Sequence, residues 1–187
     1  MRPSKHESVR PKPIKALRVR MSVLPNADGR LLSYLDTGAW RHQCSIGRSG
    51  LTRSKREGDG CTPKGSFAIL DWRFRPQGSV RTRPIVAWRS IRQGDGWCDD
   101  PRSGAYNRPV KLPCAFGHED MWRRDGKYDV VGILDYNIRP RKASFGSAIF
   151  FHLCSAAFET TAGCVAITPA AMSKLLPRLG SRVKLVV

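Results

Sequence analysis

The sequence predicts a mainly β fold. Three observations predict it: short apolar or period-two runs recur along the chain, Gly, Pro and Asp cluster between them, and one stretch alone carries helical spacing. A length of 187 residues fits one hydrophobic core with at most a small appendage.

The elements follow in order. Residues 1–15, rich in Pro and Lys/Arg, read as a mobile basic tail, which leaves residues 16–187 as a single domain. Leu17–Leu24 alternates apolar and polar positions, the mark of a half-buried strand. Asn26–Gly29 supplies turn chemistry and Leu31–Asp36 resumes a strand, so a hairpin is expected. Further strands are expected at His42–Ile46, Ser66–Trp72, Pro84–Trp88, Val130–Tyr136, Ser147–Cys154, Val165–Thr168 and Arg182–Val187. The helix begins with Thr168 as cap and Pro169 in first position. Met172, Leu175, Leu176 and Leu179 recur at helical spacing before Gly180, and Pro177 limits the helix to about two or three turns. Residues from about 93 to 129 read as irregular, too long for an ordinary connection and therefore a place to expect function.

The hydrophobic fraction of 41% and charged fraction of 26% exclude a disordered or collagen-like chain. No apolar run approaches the roughly 18 residues of a membrane-spanning helix. The basic start is followed by a segment interrupted by Lys15, Arg18 and Arg20, so no secretory signal of the usual form is read. Thirty-three Lys and Arg against fifteen Asp and Glu leave a net charge of +18, which calls for an anionic partner: nucleic acid, an anionic membrane surface or an acidic polymer. Helix-turn-helix, RNA-recognition and finger patterns are missing, so no specific nucleic-acid partner is expected. Six cysteines form no Cys-x-x-Cys pair in a chain long enough to fold without staples, and Cys44 and Cys154 sit in strand-like runs; most are expected to be reduced and structural.

Chemistry concentrates where an apolar run ends in His152 and, twelve positions later, Cys164 follows Gly163 at the start of another strand. A free thiol ionises near pH 8.5, so a cysteine nucleophile needs a neighbouring base, and a histidine can take its proton and return it to a leaving amine. Gly163 would let the backbone turn so that amide N–H groups face a developing oxyanion. A core histidine beside a buried thiol is the plainer reading, and a zinc site of His152, Cys154, Cys164 and His118 is a third. Arg56–Phe67 reads as a tightly specified turn opening a strand. Trp97–Pro101 with Tyr106, Asn107 and Arg108, and His118–Asp129 with Glu119, Trp122 and Arg123, are polar and aromatic loop segments suited to ligand contact.

Taken together and in order, Arg56-Glu-Gly-Asp-Gly-x-Thr-Pro-x-Gly-x-Phe67, Asp100-Pro with Tyr106-Asn107-Arg108, His118-Glu119 with Trp122-Arg123, Gly146-Ser-Ala-Ile-Phe-x-His152 and Thr161-x-Gly-Cys164-Val-Ala resemble the L,D-transpeptidase catalytic domain, from about Arg56 to Leu176. The resemblance implies a YkuD-like mixed β-sandwich with a few short helices. It implies a cysteine-dependent acyltransferase of cell-wall biogenesis and cell shape that needs no cofactor and no metal and acts on peptidoglycan stem peptides at the cell envelope or periplasm. Cys164 would be the nucleophile, His152 the base and acid, and the Gly163 and Cys164 amides the oxyanion donors. His118, Arg123, Trp122, Tyr106, Asn107 and Arg108 would bind substrate. Cys164 would then react with iodoacetamide or a carbapenem faster than the other five cysteines.

The chain departs from the family pattern in three ways. Ala162 stands where the family has a polar residue before Gly-Cys, Ala166 stands where it often has Arg or Asn, and the His152–Cys164 loop is short. A carboxylate grip is thereby lost, and Arg123, His118, Asn107 or Arg108 would replace it. Cross-linking of the 3,3 or 1,3 type is the leading reading. An L,D-carboxypeptidase trimming tetrapeptides, cytoplasmic if it recycles wall fragments, is the alternative, and a basic nucleic-acid-binding protein a remote one.

Overall fold

The computed structural model describes residues 13–23 and 31–187. The turn expected at Asn26–Gly29 and nearly all of the expected basic tail lie outside the described residues, although Ile14 and Lys15, placed in that tail, already open the first strand.

Strands β1 (Ile14–Val23) and β2 (Leu31–Asp36) form the expected hairpin, with Arg18 opposite Asp36 and Val23 opposite Leu31. Strand β3 (Arg41–Cys44) continues it, and β4 (Leu51–Thr52) with β5 (Thr62–Pro63) make a small parallel pair. The long strand β6 (Ser66–Phe74) carries β7 (Trp88–Ser90) alongside. Then come β8 (Asp95–Cys98), β9 (Arg108–Lys111) and β10 (His118–Asp120), a separate antiparallel sheet with β8 in the middle. The chain ends with β11 (Val130–Leu134), β12 (Phe150–Leu153), β13 (Val165–Ile167), helix α1 (Pro169–Leu175) and β14 (Leu179–Val186).

The main mixed sheet runs β13-β12-β11-β6-β14-β1-β2-β3. Its two ends meet, because Ser45, just past β3, and Ala166 in β13 exchange both backbone hydrogen bonds at 2.8 and 2.9 Å. Closing on itself in this way leaves those end strands without an open edge.

Two layers of side chains explain why β11 and β12 read as unbroken apolar runs. Every residue of both strands is buried. Val130, Phe151 and Leu153 face the main core with Trp72, Val165, Met172 and Leu185, while Val131, Ile133 and Phe150 face a second cluster with Trp97, Met121 and Tyr128. A strand covered on both faces has no polar positions to alternate. The Trp97 and Phe150 rings meet edge to face at 5.2 Å, fastening the small sheet over the second face. The molecule is mainly β and two-layered, as the sequence predicts.

Three local readings change. Residues 93–129, expected to be irregular, contain β8, β9 and β10. The strand expected at Pro84–Trp88 forms instead at Trp88–Ser90, since Pro84 has no N–H to give a ladder. The helix keeps its Thr168 cap, whose hydroxyl accepts from the Ala171 N–H at 3.3 Å, but ends at Leu175. Leu176–Arg178 is a 3-10 turn around Pro177, and Leu179 and Gly180 belong to β14.

Candidate active site

The second face of β12 ends in a cleft, and His152 and Cys164 both line it. Strands β12 and β13 run parallel with Phe151 beside Val165 and His152 beside Ala166, so the two strand ends bring together residues twelve positions apart in sequence. Cys164 sits immediately before β13. Its turn is held by the Thr161 hydroxyl, which accepts from the Gly163 N–H at 3.1 Å and donates to the Cys164 carbonyl at 2.7 Å. Gly163 has φ +146, and a Cβ there would lie 2.8 Å from the Cys61 carbonyl oxygen. Only glycine allows this approach of two backbones. The Arg56–Phe67 segment is therefore packed directly against the cysteine turn: Thr62 donates from its hydroxyl to the Cys164 carbonyl at 3.5 Å while accepting from the Gly47 N–H at 2.8 Å.

The imidazole of His152 is buried, and its Nδ1 lies 2.8 Å from the Leu153 carbonyl. A carbonyl only accepts, so Nδ1 carries the proton and Nε2 keeps a lone pair. The third partner orienting this histidine is thus a backbone group. Tyr128 packs edge-on against the ring at 5.2 Å. Burial lowers the His152 pKa to about 4, so the ring is neutral across the physiological range.

Cys164 differs from the reactive thiol the sequence suggests. Its Sγ donates to the Ala148 carbonyl at 3.1 Å and accepts from the Phe150 N–H at 3.3 Å, and neither bond involves His152. Burial pushes the thiol up to about 12. At rest the pair is a neutral thiol beside a neutral base, not a preformed thiolate, because each charged form would be stranded in a dry site. Fast alkylation relative to the other cysteines is therefore not a property of this resting geometry.

The cleft has a volume of about 340 Å³ and carries both signs of charge on its walls. Glu57 accepts hydrogen bonds from the Tyr106 phenol and from the Ser147 hydroxyl, the latter at 2.7 Å. Burial raises the carboxyls of Asp99 and Glu119, and Glu119 accepts from the Tyr128 hydroxyl at 3.3 Å. Arg123 lies 2.6 Å from Asp125 and 3.5 Å from Glu119. Lys55, with a side chain only 4% exposed, pairs with Asp59 and donates to the Arg56 carbonyl at 2.9 Å.

Of the six residues expected to bind substrate, Arg123 alone lines this cleft. Asn107 is buried at φ +53 and spends its amide on backbone and core. Its Oδ1 accepts from Trp97 Nε1 at 2.9 Å and from the Ala148 N–H at 3.1 Å, while Nδ2 donates to the carbonyls of Tyr136 and Asn137. Tyr106 is buried and does not line the cleft, which it touches through its hydrogen bond to Glu57. Arg108 and His118 are exposed on the small sheet, and Trp122 packs under Arg75 at 5.1 Å. Glu57, read from sequence as part of a structural turn, and Lys55, which precedes that turn and was not singled out, do line the cleft; the charges in and beside a glycine-rich turn were the available signal. For the zinc reading, no three His, Cys, Asp or Glu side chains among the described residues are placed to hold a metal, and His118 does not reach the cleft. Ala166, fully buried in the seam with Ser45, leaves no room for the long side chain the resemblance expected at that position.

A cysteine after a tight glycine turn and a histidine on the strand beside it thus line one cleft of a mainly β two-layered scaffold. The L,D-transpeptidase catalytic domain family, YkuD, matches residues 22–187, and the chain belongs to that family of cysteine-dependent enzymes. Comparison with curated proteins gives no significant match, and comparison with solved structures gives none either. Among the described residues no helix is long and apolar enough to cross a membrane.

Proposed function

We propose that the chain is a peptidoglycan L,D-transpeptidase that works through a Cys164 thioester. The observation that carries this reading is that His152 on β12 and Cys164, immediately before the neighbouring parallel strand β13, both line one cleft.

The chemistry follows from the two neutral groups. The reaction requires the Cys164 thiol to leave Ala148 and turn to His152 Nε2, whose lone pair is free because Nδ1 is committed to Leu153. Sulfur then attacks the carbonyl of an L-configured residue in a stem peptide as its proton passes to Nε2, so no isolated thiolate has to exist in the dry site. The tetrahedral intermediate collapses, Nε2 gives its proton to the departing D-amino acid, and the thioester remains. An acceptor amine repeats the steps in reverse, transferring its proton to His152, forming the new amide and releasing the thiol. The products are 3,3 links between diaminopimelates or 1,3 links from L-alanine to diaminopimelate. Side chains and backbone amides suffice, with no cofactor. Of the two amides assigned to the oxyanion, Gly163 N–H is engaged by Thr161 at rest, so it serves only if that hydroxyl lets go.

Arg123 is the substrate-binding candidate that reaches the cleft, a planar donor for a stem-peptide carboxylate, and the net charge of +18 would concentrate such acidic chains at the surface of the protein in the cell envelope. The test is a digest of purified tetrapeptide muropeptides analysed by mass spectrometry. Wild type is expected to give cross-linked dimers and Cys164→Ala none, with the fold retained. Tripeptide and free D-alanine without dimers would assign the carboxypeptidase reaction instead, and full activity in Cys164→Ala would remove the thioester.

A further inference from the structure

Residues 73–92 contain six arginines and no acidic residue. Two of the six turn inward: Arg73 pairs with Asp71 at 3.2 Å, and Arg75 donates to the Arg123 carbonyl at 2.6 Å. Arg81, Arg89 and Arg92 are exposed. Arg89 keeps 77% of its side chain exposed, with Asp71 3.7 Å away. Among these cations stand two large apolar side chains that folding leaves outside, Ile85 at 79% exposure and Trp88 at 42%. Isolated exposed apolar residues need no explanation, but an aliphatic tip and an indole framed by arginines form an amphipathic surface.

The segment is also held stiffly. Val80 and Ile91 are buried on either side of the tip, the Ile91 N–H donates to the Phe74 carbonyl at 2.8 Å, and Arg83 donates to the Val80 carbonyl at 2.8 Å. Arg83 stacks on Phe74 at 4.4 Å and on Trp88 at 5.2 Å, and Phe74 meets Trp88 edge-on at 5.5 Å. A tip fixed in this way loses little freedom on docking.

We propose that this surface, from Arg81 to Arg92, docks on an anionic phospholipid bilayer. Ile85 enters the acyl boundary, Trp88 lies at the headgroup level where indoles partition, and Arg81, Arg89 and Arg92 meet the lipid phosphates. Single-stranded nucleic acid would also attract the arginines, but it offers nothing to a projecting isoleucine, and an indole already packed against Arg83 and Phe74 is poorly placed to sandwich a base. The proposal is independent of which reaction Cys164 performs.

Because any protein of this charge adheres to negative surfaces, the test changes shape without changing charge. Binding is measured by co-sedimentation at physiological ionic strength with vesicles of phosphatidylcholine alone and of phosphatidylcholine mixed with phosphatidylglycerol. Wild type is expected to bind the mixed vesicles and not the neutral ones. Ile85→Ser, at a position with almost no packing to lose, should weaken that binding about tenfold or more with an unchanged melting temperature and unchanged affinity for a poly-dT oligonucleotide. The triple variant Arg81→Gln, Arg89→Gln, Arg92→Gln should weaken it further than the equally charged control Arg18→Gln, Arg182→Gln, Lys184→Gln. The proposal is overturned if the mixed vesicles are not bound, if Ile85→Ser binds them like wild type, if it weakens oligonucleotide binding equally, or if the two triple variants behave alike.

Discussion

The thiol of Cys164 donates its hydrogen bond to the Ala148 carbonyl at 3.1 Å, and Ala148 is itself held at φ +50 with its N–H on Asn107. The resting thiol is thus parked on a backbone oxygen whose position depends on a buried amide in a loop more than forty residues upstream, at Asn107.

Labelling by iodoacetamide at neutral pH should reveal this parking. Cys61 and Cys114, which are partly exposed, are expected to be alkylated before Cys164, whose thiol burial pushes up to about 12. Peptide mapping by mass spectrometry gives the order; Cys164 labelled first would mean that the sulfur spends most of its time elsewhere.

With His152 as the proposed base, the pH profile is expected to follow its pKa, which burial lowers from 6.5 to about 4. The base stays competent well below neutrality, so the acid limb of kcat/KM should lie nearer 4 than 6.5. Stability follows with the same sign. Between 6.5 and 4 the unfolded chain holds a proton that the folded chain refuses, so stability is lost as pH falls through that window, on the order of 3 kcal/mol for this one group. His152→Gln should flatten the loss in denaturation curves at pH 4.5 and 7, while His42, also lowered by burial, is still present in both proteins.

Thr161→Val removes the hydroxyl that bridges Gly163 and Cys164. A cost of about 1–2 kcal/mol in urea denaturation is expected from the lost pair of bonds. Thioester formation should slow as the turn loosens. If the rate instead rises, the freed Gly163 N–H is acting on the oxyanion and Thr161 is a brake.

Asn107 and Arg123 should separate cleanly. Asn107→Ala strands two buried carbonyls and two N–H donors, so a loss of about 2–4 kcal/mol is expected, read as a lowered melting temperature. Arg123→Ala should leave the fold standing and raise KM about tenfold for a stem peptide with a free carboxylate, in steady-state kinetics.

How far this was legible in the sequence depends on how loudly each residue type speaks. The meeting of His152 and Cys164 in one cleft was readable because an apolar strand ending in histidine and a Gly-Cys step each break a pattern. Strands β8, β9 and β10 were not, since they span only three or four residues, β9 contains Pro109, and β9 and β10 are largely exposed. The substrate-binding expectations failed to reach the cleft for a related reason: a polar loop residue looks the same whether it awaits a ligand or, like Asn107, pins neighbouring backbone. Glu57 lay hidden the other way round, inside a turn whose glycines drew the structural explanation first.

Cys164 lies two residues before the seam where Ser45 and Ala166 join the first and last edges of the main sheet. The proposed nucleophile is thereby mounted on the closure of the wall and not on its interior. Loosening of that join would shift the sulfur directly, so the proposed activity is expected to fall in mild heat or denaturant before the cores open.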